Sequence, residues 1–296
     1  MTQSPAKTFG GILAALVTPY RADFSLNEEI IPGLVDYELG QGVAGFYVGG
    51  STGEAFLQSP EERGRLIAAV ARAAKGRGTL IAHVGTIATE DTLSIARSAA
   101  DAGFDAVSAI PPFYYDFSAA ELIAHYKALA AATPLPVIVY NFGGRTGKLG
   151  PNEILQLLDD PRVIGIKHTS QDFFQLERFK THRPDAVVYN GYDEMCLGGL
   201  AMGADGAIGT TYNFMGHLFV ALYKAFQEGR MADALALQKR ANRVIEVLID
   251  VGVFPATKGF LKLQGFDCGE CRAPFRQLEA EDWQKLEACA AEYLSD

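Results

Sequence analysis

The fold of this chain is decided by two short apolar stretches, Val137-Ile138-Val139-Tyr140-Asn141 and Val163-Ile164-Gly165-Ile166-Lys167-His168-Thr169. Runs that are almost continuously apolar and β-branched are typical of parallel strands buried on both faces. Each run ends near a reactive side chain, Tyr140 in the first and Lys167 in the second. If the two strands are neighbours, the phenol and the amine lie side by side at the carboxyl ends of the sheet, where α/β barrels carry their active sites.

Around these two stretches, strand-like runs alternate with helical segments as far as about residue 230. An open doubly wound sheet has the same alternation, but it usually carries a glycine-rich nucleotide loop, and no such loop follows a predicted strand here. Eight strand and helix units are the number found in a (β/α)8 TIM barrel, which is therefore the predicted α/β fold. The predicted strands are Ile12–Val17, Gly45–Val48, Thr79–His83, Ala106–Ile110, Val137–Tyr140, Val163–Lys167, Val187–Asn190 and Gly206–Gly209.

The last part of the chain has a different, purely helical pattern. Apolar residues such as Ala234, Leu237 and Ala241 recur at intervals of three and four, which predicts an amphipathic helix whose apolar face needs a partner. No linker-like stretch separates this part from the rest. We therefore predict a barrel over residues 1–230 and a C-terminal helical extension over 231–296 that packs on it.

Composition limits the classes of function. The chain has 296 residues, a hydrophobic fraction of 49% and a net charge of −9 that is spread along it, which argues against a nucleic-acid partner. No stretch of about 18 consecutive apolar residues occurs, so no membrane partner is expected and a cytoplasmic location is predicted. The five histidines show neither H-x-H nor H-x-x-x-H spacing, so no metal site is predicted.

A glycine-rich turn follows the second predicted strand, in the stretch Tyr47-Val48-Gly49-Gly50-Ser51-Thr52-Gly53-Glu54. Such a turn can direct backbone N–H groups, together with the hydroxyls of Ser51 and Thr52, toward a small anion. A phosphate loop would need a lysine after the turn, and none follows. A carboxylate is the better candidate ligand.

Lys167, Tyr140 and Thr52 together predict an imine-forming site. A lysine at the end of a strand can simply extend into solvent, and a tyrosine there can be a half-buried aromatic, so neither residue alone indicates catalysis. An amine removed from water has a lowered pKa, however, and its free base can attack a ketone. The protonated imine then withdraws electrons, so that a nearby carbon–carbon bond can break without a metal or another cofactor.

Several ordered motifs resemble one enzyme family. They are the GGSTGE stretch at 49–54, Pro111-Pro112-Phe113-Tyr114-Tyr115, Tyr140-Asn141 and Gly165-Ile166-Lys167, and they are similar to the pyruvate-dependent class I aldolases that include dihydrodipicolinate synthase and N-acetylneuraminate lyase. The resemblance implies a (β/α)8 barrel with extra C-terminal helices, a small keto acid as the substrate, and a homo-oligomer, commonly a tetramer.

Within this family, the stretches Tyr189–Glu194 and Gly209–Asn213 are similar to N-acetylneuraminate lyases. The resemblance implies cleavage of N-acetylneuraminate, or a related 2-keto-3-deoxy sugar acid, to pyruvate and an aldose. It also implies roles for individual residues. Lys167 would form the Schiff base, Tyr140 would be the acid/base residue, Ser51 and Thr52 would hold the carboxylate, Tyr114 would support the proton relay from a neighbouring subunit, and Thr169, Gly191, Asp193, Glu194, Gly209 and Thr210 would line the sugar pocket.

One stretch departs from the lyase pattern. After Asn141 the chain reads Phe142-Gly143-Gly144-Arg145-Thr146-Gly147, and Arg-Thr-Gly at this point resembles dihydrodipicolinate synthase, whose arginine binds the carboxylate of an aldehyde acid. Arg145 would favour a second anionic group, whereas Asp193 and Glu194 would repel it. The nearest alternative is therefore a synthase that joins pyruvate to aspartate semialdehyde. A dehydratase or aldolase of deoxy sugar acids would share the imine. A catalytically silent protein that retains a pyruvate pocket is a further alternative, but binding alone does not need the amine.

Overall fold

A computed structural model describes residues 9–143 and 149–294. In these ranges eight parallel strands close into a barrel in chain order, and the last strand pairs with the first. The predicted (β/α)8 fold is confirmed. The strands are β1 (Gly11–Ala15), β2 (Gly45–Val48), β3 (Thr79–His83), β4 (Ala106–Ala109), β5 (Val137–Asn141), β6 (Val163–His168), β7 (Val187–Asn190) and β8 (Gly206–Gly209).

A helix separates each strand from the next, and three more helices follow the barrel. The helices are α1 (Ile31–Gly40), α2 (Pro60–Ala74), α3 (Thr89–Asp101), α4 (Ala119–Ala132), α5 (Pro151–Leu157), α6 (Phe173–His182), α7 (Cys196–Ala201), α8 (Tyr212–Gln227), α9 (Met231–Val251), α10 (Val253–Leu263) and α11 (Ala280–Tyr293). Short 3-10 turns at Ala55–Leu57 and Asp193–Met195 precede α2 and α7.

The two stretches that decide the fold are adjacent strands in parallel register. Tyr140 of β5 pairs with Lys167 of β6. Because side chains alternate along a strand, Ile138 and Tyr140 point into the barrel while Val139 packs in the layer between the barrel and the helices. Gly165 allows β6 to approach β7, since a Cβ there would lie 2.2 Å from a carbonyl oxygen.

Local sequence signals account for how several helices begin. Ser59 and Ser118 accept hydrogen bonds from the backbone N–H groups of Glu62 and Glu121, whose carboxylates bind back to the N–H groups of the serines. These are capping boxes, in which two otherwise unpaired donors are satisfied. Each of these helices begins after a loop at the carboxyl end of a strand and returns the chain to the amino end of the next strand.

A match to the pattern G-x-G-x-x-G occurs over residues 40–45, but its position excludes a nucleotide loop. It spans the end of α1 and the start of β2, so its order is helix to strand rather than strand to helix. Gly42 has φ +89°, a left-handed conformation that glycine adopts without strain and that ends the helix. The glycines therefore make an αβ-turn.

The C-terminal helices complete the hydrophobic core. On α9, Ala234, Ala241, Val244 and Leu248 are buried, which confirms the apolar face predicted from the sequence. This face shares one apolar core with α8 and with the outer surface of the strands. The division at residue 230 stays a prediction, because no separate core marks it. No helix in the described ranges is long and apolar enough to cross a membrane.

Candidate active site

Lys167 lies at the carboxyl end of β6 with its side chain inside the barrel, and only 5% of it is exposed. Its Nζ is 4.2 Å from the centre of the Tyr47 ring and 4.3 Å from the centre of the Tyr140 ring. Burial lowers the pKa of Lys167 to about 7, against a weaker opposing effect of the Asp193 carboxylate. A substantial fraction of the amine is therefore uncharged at neutral pH, as a nucleophile requires.

Aromatic rings hold Tyr140 in place beside this amine. Tyr140 is buried, stacks on Phe142 with ring centres 5.8 Å apart, and meets the rings of Tyr47 and His83 edge to face. Tyr47 is itself immobilised, because its hydroxyl donates a hydrogen bond of 3.0 Å to Ser108. The phenol and the amine thus share a rigid, largely apolar wall of the barrel.

The glycine-rich turn after β2 forms the cradle loop, residues 49–52, on the other side of Lys167. Backbone hydrogen bonds close it, from the N–H of Glu54 to the carbonyl of Ser51 at 3.0 Å and from the N–H of Ala55 to the carbonyl of Gly50 at 3.2 Å. Thr52 Oγ1 lies 2.7 Å from Thr210 Oγ1, so the cradle is tied to β8.

After β7, Asp193 is held by the backbone N–H and the hydroxyl of Thr211 at 2.8 and 2.7 Å. Burial raises the pKa of Asp193 to about 6, and these hydrogen bonds oppose the rise. A Cβ at Gly209 would lie 2.0 Å from Asp193, and one at Gly191 would lie 1.9 Å from the hydroxyl of Thr169. Both glycines therefore allow polar side chains to lie close against the backbone.

One cavity of about 860 Å³ joins these groups. Its outer wall comes from the C-terminal extension, including Ile245, Leu248 and Ile249 of α9 and Val253 of α10. The larger part of the sequence-predicted site lines this cavity, namely Ser51, Thr52, Tyr140, Lys167, Thr169, Gly191, Asp193, Glu194 and Thr210. Gly209 does not line it, but lies behind Asp193.

Of the other predicted site residues, the structure describes Tyr114 but not Arg145. Tyr114 does not line the cavity; it is 86% exposed and has a φ of +80°, a strained value for a residue other than glycine. Its expected role in a neighbouring subunit's relay stays a prediction. Arg145 lies outside the described residues. Among those residues, no group of three or more His, Cys, Asp or Glu side chains is arranged to hold a metal.

The sequence analysis missed residues that support the cradle loop from behind. Glu54, which follows the loop, is buried and accepts hydrogen bonds of 2.7 Å from Lys258 Nζ on α10 and from the N–H of Arg272. The acid was visible in the GGSTGE stretch, but its lysine partner comes 204 residues later and carries no local signal. The C-terminal extension thus contacts the site through charge as well as through apolar packing.

Comparison with known proteins places this site in a family. Residues 8–293 match the model of the dihydrodipicolinate synthetase family. The chain belongs to this family. The N-acetylneuraminate lyase of Rhizobium meliloti (strain 1021) is 55% identical over 285 residues, which cover 96% of this chain and 95% of that protein. The N-acetylneuraminate lyase of Enterobacter sp. (strain 638) is 45% identical, and the match covers 98% of each chain.

Solved structures of family members are also similar to this chain. The Clostridium difficile protein CdNal, in complex with mannosamine, has a TM-score of 0.94 at 29% identity and covers 97% of this chain and 100% of its own. Ruminococcus gnavus sialic acid aldolase has a TM-score of 0.92 at 32% identity, with 95% and 96% covered. Bacillus anthracis dihydrodipicolinate synthase also reaches 0.92, at 28% identity, with 96% and 98% covered. Lyases and synthases therefore share this fold, so the fold alone does not tell which reaction is catalysed, and the residues of the site must do so.

Proposed function

We propose that this protein is a pyruvate-dependent class I lyase that cleaves N-acetylneuraminate, or a closely related 2-keto-3-deoxy sugar acid, to pyruvate and an aldose. The observation that carries the proposal is the buried Lys167 amine, with its pKa lowered to about 7, between two tyrosine rings in a cavity that also contains a hydroxyl-bearing cradle. The N-acetylneuraminate lyases that match the chain over nearly its whole length support the choice of substrate.

The reaction begins with the free amine of Lys167. The amine attacks the C2 carbonyl of the keto acid, and Tyr140 donates the proton with which the carbonyl oxygen leaves as water, which gives a protonated imine and a Tyr140 phenolate. The ring centres of Tyr47 and Tyr140 lie 4.2 and 4.3 Å from this nitrogen, and the faces of the rings stabilise its positive charge. The substrate carboxylate binds the cradle loop through Ser51 and Thr52, which holds C2 against the amine.

Carbon–carbon cleavage needs a base at the C4 hydroxyl. Tyr140, with Thr52 as a relay, removes that proton as the electrons of the C3–C4 bond move into the imine to form an enamine. The aldose leaves, Tyr140 passes the proton to C3, and water then hydrolyses the protonated imine, which releases pyruvate and regenerates the free amine of Lys167 and the Tyr140 phenol. No cofactor is required, because the imine itself accepts the electron pair. Tyr114 of a neighbouring subunit completes the relay in a cytoplasmic homotetramer.

The opposite side of the cavity binds the hydroxylated chain of the sugar. Asp193, Glu194 and Thr169 supply oxygen acceptors, and the Thr169 hydroxyl has no hydrogen-bond partner among the described residues. Buried acceptors discriminate strongly against analogues that lack the matching donor. Gly191 and Gly209 leave room for these side chains, and Thr210 completes the lining.

Trapping the imine tests this function. Borohydride reduction in the presence of pyruvate, followed by peptide mass analysis, should place the reduced adduct on Lys167. Lys167→Ala should lose both the adduct and pyruvate release while its circular dichroism spectrum stays that of the parent. Lys285→Ala, which removes an exposed amine, is the matched control. An adduct on another lysine, or substantial pyruvate release by Lys167→Ala, would refute the mechanism.

Arg145 supports a second candidate, the synthase that joins pyruvate to aspartate semialdehyde. Its guanidinium would bind the carboxylate of the aldehyde acid. Pyruvate release should be measured with N-acetylneuraminate and other keto sugar acids, and condensation with aspartate semialdehyde, for the parent protein and Arg145→Leu. Condensation that exceeds sugar-acid cleavage and is lost in Arg145→Leu would favour the synthase.

A further inference from the structure

Arg63 is a buried cation that the reaction proposed above does not use. It lies on α2 with 2% of its surface exposed, and it forms no ion pair with a carboxylate in the part of the chain that the structure describes. Its guanidinium donates to the carbonyl of Gly85 at 2.9 Å and to that of His83 at 2.5 Å. Burial lowers the pKa of Arg63 to about 10, which leaves it charged at neutral pH.

Such a charge costs stability and therefore needs a reason. Moving an ion out of water costs several kcal/mol after relaxation, and proteins normally compensate with a partner of opposite charge. The buried ammonium of Lys258, which also lies behind the site, follows this rule, since Glu54 lies 2.7 Å away. Arg63 donates to two backbone carbonyls and lies 3.3 Å from the uncharged ring nitrogen Nδ1 of His83, and its Nε has no hydrogen-bond partner among the described residues. A negative charge from outside the chain would complete it.

The position of Arg63 indicates which charge this is. A Cβ built at Gly49 would lie 3.9 Å from Arg63 Nε, so the guanidinium lies directly behind the first residue of the cradle loop.

His83 connects the cradle loop to Arg63, because it contacts both Gly49 and the guanidinium. His83 Nε2 accepts from the N–H of Ile110 at 3.3 Å, which leaves Nδ1 to donate to the carbonyl of Gly49 at 2.8 Å. Burial and, secondarily, the charge of Arg63 hold the pKa of His83 well below its usual range. The histidine is therefore neutral, and Arg63 is the charged member of this pair.

We infer that Arg63 is a positioning residue that supplies the counter-charge for the carboxylate of the keto acid, acting through one layer of backbone in the cradle loop. The inference rests on the proposed function, because it needs a keto acid in the cradle. The chain carries a net charge of −9, and Asp193 and Glu194 line the same cavity, so the anion needs a nearby source of attraction. At an effective dielectric constant of about 20, a unit charge roughly 10 Å from the carboxylate changes its affinity by a factor on the order of ten.

The consequence is a preference for anionic over neutral ketones. We would measure the half-saturating concentrations of pyruvate and of its neutral methyl ester by borohydride trapping on Lys167. Arg63→Met should raise the value for pyruvate roughly tenfold and that for methyl pyruvate little. Arg63→Lys should keep the preference for pyruvate, because it keeps the charge while losing the planar fork. Arg65→Met, which removes an exposed cation from the same helix, should leave both values unchanged.

Two results would overturn the inference. One is an equal rise for pyruvate and methyl pyruvate in Arg63→Met, which would mean that the arginine only supports the loop. The other is a loss of preference in Arg63→Lys as large as in Arg63→Met.

If Arg63→Met does not fold, the salt dependence of pyruvate binding by the parent protein tests the inference instead. A buried charge is screened little, so the half-saturating pyruvate concentration should change less than about twofold between roughly 0.05 and 0.5 M salt. A steep rise would point to surface charge instead. No adduct in the parent protein would refute the proposed function, not this inference alone.

Discussion

Replacing Lys167 with methionine should make the protein more stable while abolishing its chemistry. The amine has an ordinary pKa of 10.5, and burial lowers it to about 7 in the folded protein. In the unfolded chain the amine is solvated and keeps its ordinary affinity for the proton. Between pH 7 and pH 10 the unfolded state therefore binds more protons at this residue than the folded state does.

The size of the effect follows from this difference. Stability rises with pH wherever the unfolded state binds more protons, by up to about 1.4 kcal/mol per pH unit for one group. Over the window from pH 7 to pH 10, Lys167 alone should raise the free energy of unfolding of the parent protein by roughly 4 kcal/mol. Below pH 7 both states bind the proton, so the full cost of burying the charged amine is present and no longer changes with pH. Methionine is of similar length, is uncharged, and fits between the rings of Tyr47 and Tyr140.

Urea unfolding, followed by circular dichroism, measures the pH dependence of the free energy of unfolding directly. It would be carried out at one protein concentration and at pH 7, 8, 9 and 10. Lys167→Met should be more stable than the parent at pH 7, and its advantage should shrink as the pH rises. Other titrating groups are shared by both proteins and cancel in the difference. Lys285→Met, which removes an exposed amine paired with Asp250, should show no such shrinkage up to pH 10. An advantage of Lys167→Met that stays constant or widens with pH would refute the reasoning.

Three further changes test the support of the site. Lys258→Met should lower the free energy of unfolding by about 3–5 kcal/mol in urea, because it leaves the buried Glu54 carboxylate unpaired, and adding Glu54→Gln should recover part of the loss; an unchanged midpoint would contradict this. Gly191→Ala should abolish cleavage of sugar acids yet retain the pyruvate adduct, since its Cβ would lie 1.9 Å from Thr169 Oγ1; equal loss in both assays would contradict a role confined to the sugar end. Ser118→Ala should cost about 1 kcal/mol in thermal unfolding through loss of its cap, and no change would show that the cap contributes nothing.

The local features of the fold were predictable from short stretches of sequence. Runs such as Val137–Asn141 became strands because their apolar, β-branched side chains are buried on both faces of the sheet. Ser59 and Ser118 began helices because a serine and a glutamate three residues later satisfy free backbone donors on their own. The strand-end positions of Tyr140 and Lys167 also follow from these patterns, since parallel strands bring their carboxyl ends to one face.

By itself, the sequence determined the order of strands and helices that predicts a barrel, the helix caps and the face on which the reactive groups lie, because these signals are carried by residues close along the chain. The tertiary structure alone decided the environment of those groups. It buried Lys167 between two rings, joined Glu54 to Lys258, and placed an uncompensated Arg63 behind Gly49. Burial and pairing of charge arise between residues far apart in the chain, and they set the pKa values and electrostatic fields on which the chemistry depends.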